Sequence, residues 1–108
     1  MKHEIKEDNT GLLIILEGEF DLYSSVDLRK LLLQRVEEHA IDICLDCTLV
    51  DYIDSSGMGL IVQLYTILKK NGHSLTLLNL SNEILNLFRA IKLDKALEGS
   101  IIQSPVDG

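Results

Sequence analysis

Residues 50–60, VDYIDSSGMGL, change rhythm in the middle. Up to Asp54, the stretch AIDICLDCTLVDYID (40–54) sets apolar against polar residues in alternation, with Ile41, Ile43 and Leu45 facing one way and Asp42 and Asp46 the other. That is the period of a half-buried strand. Past Gly57, Met58, Ile61, Val62, Tyr65 and Leu68 recur at the spacing of one helical stripe. Between the two lie two hydroxyls, Ser55 and Ser56, and the first of two glycines, Gly57 and Gly59. A strand that runs almost directly into a helix is the building unit of parallel sheets, so this junction predicts an α/β fold.

The flanking sequence extends that pattern. HEIKEDNTGLLIILEGEFD (3–21) reads as two short strands, His3–Lys6 and Leu12–Glu17, joined by a turn at Asn9, Thr10 and Gly11. SSVDLRKLLLQRVEEH (24–39) reads as an amphipathic helix, with Leu28, Leu32, Arg35 and Val36 on one face, Leu31 beside them, and Ser24 or Ser25 as the cap. The helix after Gly57 stops at Lys69, Lys70, Asn71 and Gly72. SLTLLNL (74–80) is a third apolar strand after that stop. SNEILNLFRAIKL (81–93) is a helix capped by Ser81 or Asn82, with Ile84, Leu85, Phe88 and Ile91 turned inward. GSIIQS (99–104) reads as a last short strand and PVDG as a frayed tail. The order β-β-α-β-α-β-α-β predicts a mixed, mostly parallel sheet of four to five strands with three to four helices packed on it. A single domain fills residues 1–108, with its core over about 4–103 and a frayed tail over 104–108.

Composition narrows the function. Ten Lys plus Arg against seventeen Asp plus Glu give a net charge of −7. No basic stripe offsets it, so direct nucleic-acid binding and an anionic membrane surface are both excluded as expectations. The N-terminus MKHEIKEDNT carries charges where a signal peptide needs an apolar core, and no apolar run reaches the length of a membrane span. A cytoplasmic location and no membrane insertion follow as expectations. Cys44 and Cys47 form a CxxC. A redox CxxC places its first thiol at a helix N-terminus. Here both cysteines sit in a strand-like run and point to opposite faces, as two small strand residues would.

Three readings of Asp54-Ser55-Ser56-Gly57 compete. Plain helix capping needs one serine and is worth about 1 kcal/mol. Two glycines near a helix start cost roughly 1 kcal/mol each against alanine, so their presence predicts close backbone approach. A serine nucleophile needs a histidine within hydrogen-bond reach. His39 and His73 each precede a strand, which puts them at the opposite end of the sheet, and DSSGMG lacks the GxSxG spacing. The third reading is a phosphorylation switch: a hydroxyl at a helix N-terminus is accessible, and a phosphate there adds about −1.5 to −2 charges beside Asp54, Asp51 and, across a packed loop, Asp21. Leu60, Leu64 and Ile67 widen the apolar surface of the same helix, which either buries on two sides or leaves a patch beside Ser55.

LDCTLVDYIDSSGMGLIVQLY (45–65) closely resembles the signature of STAS domains, in particular stand-alone bacterial anti-sigma factor antagonists, and LEGEFDLYSS (16–25) resembles their Gly-Glu-x-Asp segment before the first helix. The resemblance runs from about residue 4 to residue 103. It implies a non-enzymatic partner-switching phosphoprotein, active in transcription regulation. Its unphosphorylated form binds an anti-sigma factor that is also a serine kinase of the histidine-kinase-like ATPase type, and so releases the sigma factor. Phosphorylation of the first serine, which matches Ser55, switches binding off, and a PP2C-type phosphatase restores it. Asp21 matches the acidic residue beside that serine. Asp54, Ser56, Gly57, Met58 and Gly59 complete the switch environment, with Met58 where the family often has leucine. ATP belongs to the kinase, so no cofactor and no metal are implied for this chain. The alternative within the same fold is a non-switching STAS scaffold or subunit, of a stressosome-like or lipid-transport complex.

Overall fold

The computed structural model describes residues 2–23, 26–39, 41–97 and 99–102. Two of the cap candidates, Ser24 and Ser25, and the tail 104–108 lie outside them. The elements are β1 (Lys2–Glu7), β2 (Leu12–Phe20), α1 (Val26–Glu38), β3 (Ile43–Ile53), α2 (Ser55–Lys70), β4 (Leu75–Leu78), α3 (Asn82–Ala90), α4 (Leu93–Ala96) and β5 (Ile101–Ile102). They form a five-stranded sheet in the order β1-β2-β3-β4-β5. The β1–β2 hairpin is antiparallel and every other pairing is parallel. Its turn is built by Asp8, whose Oδ1 accepts from the amides of Thr10 and Gly11. That is the Asx geometry that turn residues supply locally.

Because the parallel strands advance in one direction across the sheet, right-handed crossovers lay the helices on a single face. That face carries Leu12, Ile14, Leu16 and Phe20 from β2, Ile43, Leu45 and Cys47 from β3, and Leu75 and Leu77 from β4, all buried. They meet Leu28, Leu32 and Val36 of α1, Leu60, Ile61, Leu64 and Leu68 of α2, and Ile84, Leu85 and Phe88 of α3 in one continuous core. The opposite sheet face, with Leu13, Ile15, Cys44, Asp46, Thr76 and Leu78, is only half-buried. All six residues of β1 are exposed at the sheet edge.

Three expectations about facing are corrected. Leu31 (44% exposed) and Ile91 (53%) stand in solvent rather than facing inward. In α2 the buried arc is centred on Leu60, Ile61, Leu64 and Leu68, whereas Val62 is exposed. Of the two outcomes open for Leu60 and Leu64, burial on two sides or a patch beside Ser55, burial holds: both are wholly buried. The cause is that α2 lies against both the sheet and α1, where Arg29 Nη2 donates to Gln63 Oε1 at 2.9 Å, so its apolar arc is broad and rotated. The one-turn helix α4 was not foreseen; four residues are too few to show a period.

β3 lies within the alternating stretch 40–54, but it is bulged twice. Between the pairs Ile15–Asp46 and Glu17–Leu49, one residue of β2 (Leu16) opposes two of β3 (Cys47 and Thr48); between Gly18–Val50 and Glu19–Tyr52, β3 has one extra residue, Asp51. Each bulge shifts the pleat by one residue, so the buried positions run Ile43, Leu45, Cys47, Val50, Ile53. The first bulge is pinned by Asp46 Oδ1, which accepts from Thr48 N at 3.1 Å and Thr48 Oγ1 at 2.6 Å, and by Asn79 Nδ2, which donates to Thr48 Oγ1 at 3.0 Å. Together the bulges deliver Ile53 inward and Asp54 to the rim of the sheet.

Candidate functional site

The carboxyl ends of β2, β3 and β4 share one edge of the sheet, the position at which open α/β sheets meet ligands and partners. There the β2 and β3 exits are stitched together. Asp54 N donates to Phe20 O at 3.2 Å, and Leu22 N donates to Asp54 Oδ2 at 3.2 Å. The other oxygen of the same carboxylate caps α2, accepting from Ser56 N at 2.8 Å and Gly57 N at 3.0 Å. Asp54 is therefore the N-cap, in extended backbone conformation, and α2 begins at Ser55 rather than near Gly57. Neither serine hydroxyl caps this helix.

That assignment frees Ser55. It occupies the first turn of α2 with its side chain exposed, while Ser56 is half-buried. Asp21, half-buried, lies in the segment fastened by Phe20 O and Leu22 N, so the structure brings Asp21, Asp54 and Ser55 to one rim. Gly57 is buried for a reason the sequence anticipated in kind. A Cβ at that position would meet Phe20 O at 2.5 Å and Ile53 Cγ2 at 3.0 Å, so the helix can approach the β2 exit only through glycine. Gly59 differs: a Cβ there would meet nothing within 4 Å, and the residue is exposed one turn beyond Ser55. Met58 is half-buried and packs against the core.

The rim also carries large apolar side chains that the sequence reading passed over: Leu22 (54% exposed), Tyr23 (89%) and Tyr52 (52%). The available signal was the Leu-Tyr pair in the loop between a strand and a helix, where a core position is not expected. Exposed tyrosine beside a polar centre is the composition of protein-binding surfaces.

The chemistry around Ser55 contains no histidine. His73 lies at the far end of β3, its Nδ1 3.1 Å from Asp42 Oδ1. Ser74 N donates to the same Asp42 oxygen, and these two bonds, the Ser74 bond first, hold the Asp42 carboxyl below its ordinary value. The two cysteines sit on β3 as free thiols, Cys47 buried and Cys44 half-buried. Burial pushes the Cys47 thiol up to about 12, with the Asp46 carboxylate adding to it, and burial also raises Cys44. Both are protonated at neutral pH and neither has the thiolate that redox chemistry requires.

The STAS-domain family model matches residues 2–106. The chain belongs to the STAS-domain family. Among curated relatives, this STAS domain is 37% identical over 86 residues to the anti-sigma-B factor antagonist of Bacillus subtilis, covering 79% of this chain and 77% of that one. Among solved structures it superposes on the anti-sigma factor antagonist SpoIIAA in its unphosphorylated form with a TM-score of 0.72 at 19% identity, covering 91% of this chain and 99% of the other. The Bacillus cell-fate determinant SpoIIAA in its phosphorylated form matches with a TM-score of 0.77 at 20% identity, covering 95% and 91%. At those identities the structural likeness is one of fold. No helix of this STAS domain, among the described residues, is long and apolar enough to cross a membrane.

Proposed function

We propose that this STAS domain is a non-enzymatic anti-sigma factor antagonist that switches partners through phosphorylation of Ser55. Unphosphorylated, it binds an anti-sigma factor that is also a serine kinase of the histidine-kinase-like ATPase type, and thereby releases a sigma factor. The phosphorylated form lets the kinase go, and a PP2C-type phosphatase resets it. The docking surface comprises the Asp21 loop with Leu22 and Tyr23, the Asp54–Gly57 junction, and the outer face of α2 through Gly59.

The observation that carries this reading is the exposed Ser55 hydroxyl in a helix whose cap is already supplied by Asp54. A hydroxyl with no capping role and open access is a substrate for a kinase at no cost to the fold. The Asp54 carboxylate also occupies the Ser56 and Gly57 amides that would otherwise receive a phosphate at this helix terminus. A phosphate of about −1.5 to −2 charges on Ser55 is therefore held out toward the partner, beside Asp54 and Asp21. Each neighbouring carboxylate adds about 1 kcal/mol of repulsion through water, and bringing the dianion into an interface strips its hydration. A hundredfold loss of affinity needs about 2.8 kcal/mol, which these two effects supply without refolding. The fold likeness to SpoIIAA both with and without phosphate supports a switch that leaves the architecture in place.

The test is incubation with the cognate kinase and ATP, followed by phosphate mapping by mass spectrometry. Label is expected on Ser55; Ser55→Ala removes it and still binds the kinase, and Ser55→Asp binds at least tenfold more weakly. Label confined to Ser56, or a Ser55→Asp variant that binds like wild type at the same salt, overturns the proposal.

A further inference from the structure

At the side of the sheet opposite β5, β1 is an edge strand, and each of its six residues is exposed. Its large apolar side chain, Ile5, is 36% exposed in the middle of the run. An edge strand offers free N–H and C=O groups to any strand that can approach. Charge usually bars that approach, and β1 carries Lys2, Glu4, Lys6 and Glu7 with His3 among them. Among the described residues, none of Lys2, Glu4 and Lys6 has an ion-pair partner in its own chain. In a chain of net charge −7 this run is neutral, two lysines against two glutamates, so it adds nothing to the repulsion between two copies.

The order of these charges is more specific than keeping strands away requires. Outward from Ile5, each residue on one side is answered on the other: Glu4 by Lys6, His3 by Glu7, and Lys2 by Asp8 at the start of the turn. An edge strand turns its free backbone groups outward at every second residue, and two opposed residues must both bond or both not bond. Two copies of one strand therefore mate antiparallel only with the two-fold axis on a residue, never between two. Centred on Glu4, the axis sets Glu4 against Glu4 and Lys2 against Lys6. Centred on Lys6, it sets Lys6 against Lys6 and Glu4 against Asp8. Like charges directly opposite are unfavourable in both. Axes nearer either end pair only part of the strand.

Centred on Ile5, every pair is favourable. Ile5 meets the second copy's Ile5, and His3 meets its Glu7, on the face that bears the helices, because Ile5 and His3 stand opposite the buried Ile14 and Leu16 of β2. Glu4 meets the second copy's Lys6 on the open face, beside Ile15 and Leu13. The two-fold axis makes each of these heterotypic pairs twice.

We propose that β1 is a self-association edge, through which two copies of this chain pair antiparallel in the register centred on Ile5 and join their sheets into one. The charges that refuse a shifted or foreign strand accept this one. Six residues of edge make a small contact, so the dimer is weak and reversible. The strand carries none of the residues assigned to the Ser55 switch, and the pairing does not depend on that reading.

Sedimentation velocity on the intact chain, up to about 1 mM, reads the association over the range in which small contacts fill. A reversible monomer–dimer equilibrium is expected. Glu4→Lys and Lys6→Glu each turn two attractive pairs between the copies into repulsive ones, and each is expected to raise Kd at least about fivefold. The two substitutions move net charge in opposite directions, so a general repulsion would weaken one dimer and tighten the other. Mixed in equal amounts, the Glu4→Lys and Lys6→Glu chains are complementary again, and a heterodimer of wild-type affinity is expected. Glu4→Gln and Lys6→Gln, which cancel a charge without reversing it, give smaller losses of the same sign and carry the test if a reversal unfolds the chain. A monomer throughout the range, growth past the dimer, variants that associate as wild type does, or a mixture of the reversed chains that stays monomeric overturns the proposal.

Discussion

A single side chain, Asp54, holds the candidate site together. One of its oxygens caps α2 and the other holds the Leu22 amide, so its loss removes a cap and loosens the Asp21 loop. Asp54→Ala is expected to cost about 1–2 kcal/mol in urea denaturation, whereas Asp54→Asn, which keeps the accepting oxygen, costs less than half of that. The two junction glycines separate in the same assay. Gly57→Ala drives a methyl against Phe20 O and is expected to destabilise by about 1–3 kcal/mol. Gly59→Ala meets open space and is expected to stabilise by about 0.5–1 kcal/mol, the ordinary helix gain. A Gly59→Ala protein that is more stable yet binds the kinase less well identifies that position as a point of close partner approach. At this scale Asp54, Ser55 and Gly57 were legible as a group, because two serines and two glycines at a strand-to-helix junction exceed what capping one helix requires. The division of labour was not legible: Asp, Ser and Ser are all good caps, and only the φ/ψ of Asp54 and its two bonds decide which one serves.

Elements were legible wherever period and punctuation agreed. The β1–β2 hairpin, the stop of α2 at Lys70 and the cap of α3 at Ser81 are written in local turn and cap chemistry. β3 was legible as a strand-like run within 40–54, but its facing after Cys47 was not, because its two bulges break the alternation and leave buried positions three apart. The phase of α2 was misjudged for a related reason: nearly every residue from Met58 to Leu68 is apolar, so the stripe is fixed by what packs on it and not by composition. Truncations measure that phase directly. Leu64→Ala, at a wholly buried position, is expected to cost about 2–5 kcal/mol. Val62→Ala, at a 37% exposed position, is expected to stay within about 0.5 kcal/mol in thermal or chemical unfolding.

For the molecule as a whole, the α/β class and the mixed sheet followed from the order of elements, since helices between strands force parallel pairing and handed crossovers force the helices to one side. Acid stability is a property of the same scale. Asp8 and Asp42 are both held below the ordinary carboxylate value of 3.8, Asp8 chiefly by the Thr10 hydroxyl and Asp42 chiefly by the Ser74 amide. Lowered folded values mean that the unfolded chain binds protons first, so their stabilisation is complete above about pH 4 and is lost as pH falls through the folded values. Denaturation midpoints are expected to hold level from neutral pH to about 5 and to drop below 4, with a shallower drop in Asp42→Asn. An Asp42→Asn protein with the wild-type acid slope contradicts that assignment. Finally, β1 ends the sheet with its outward backbone groups unmatched, in a run of six exposed residues of which four carry charge. Such a border is a template for strands from other molecules, and charge is what keeps them off. The guard is ionic, so strong brine, which shortens the reach of charge to about 3 Å, lowers the barrier to edge-on aggregation while leaving the buried core untouched.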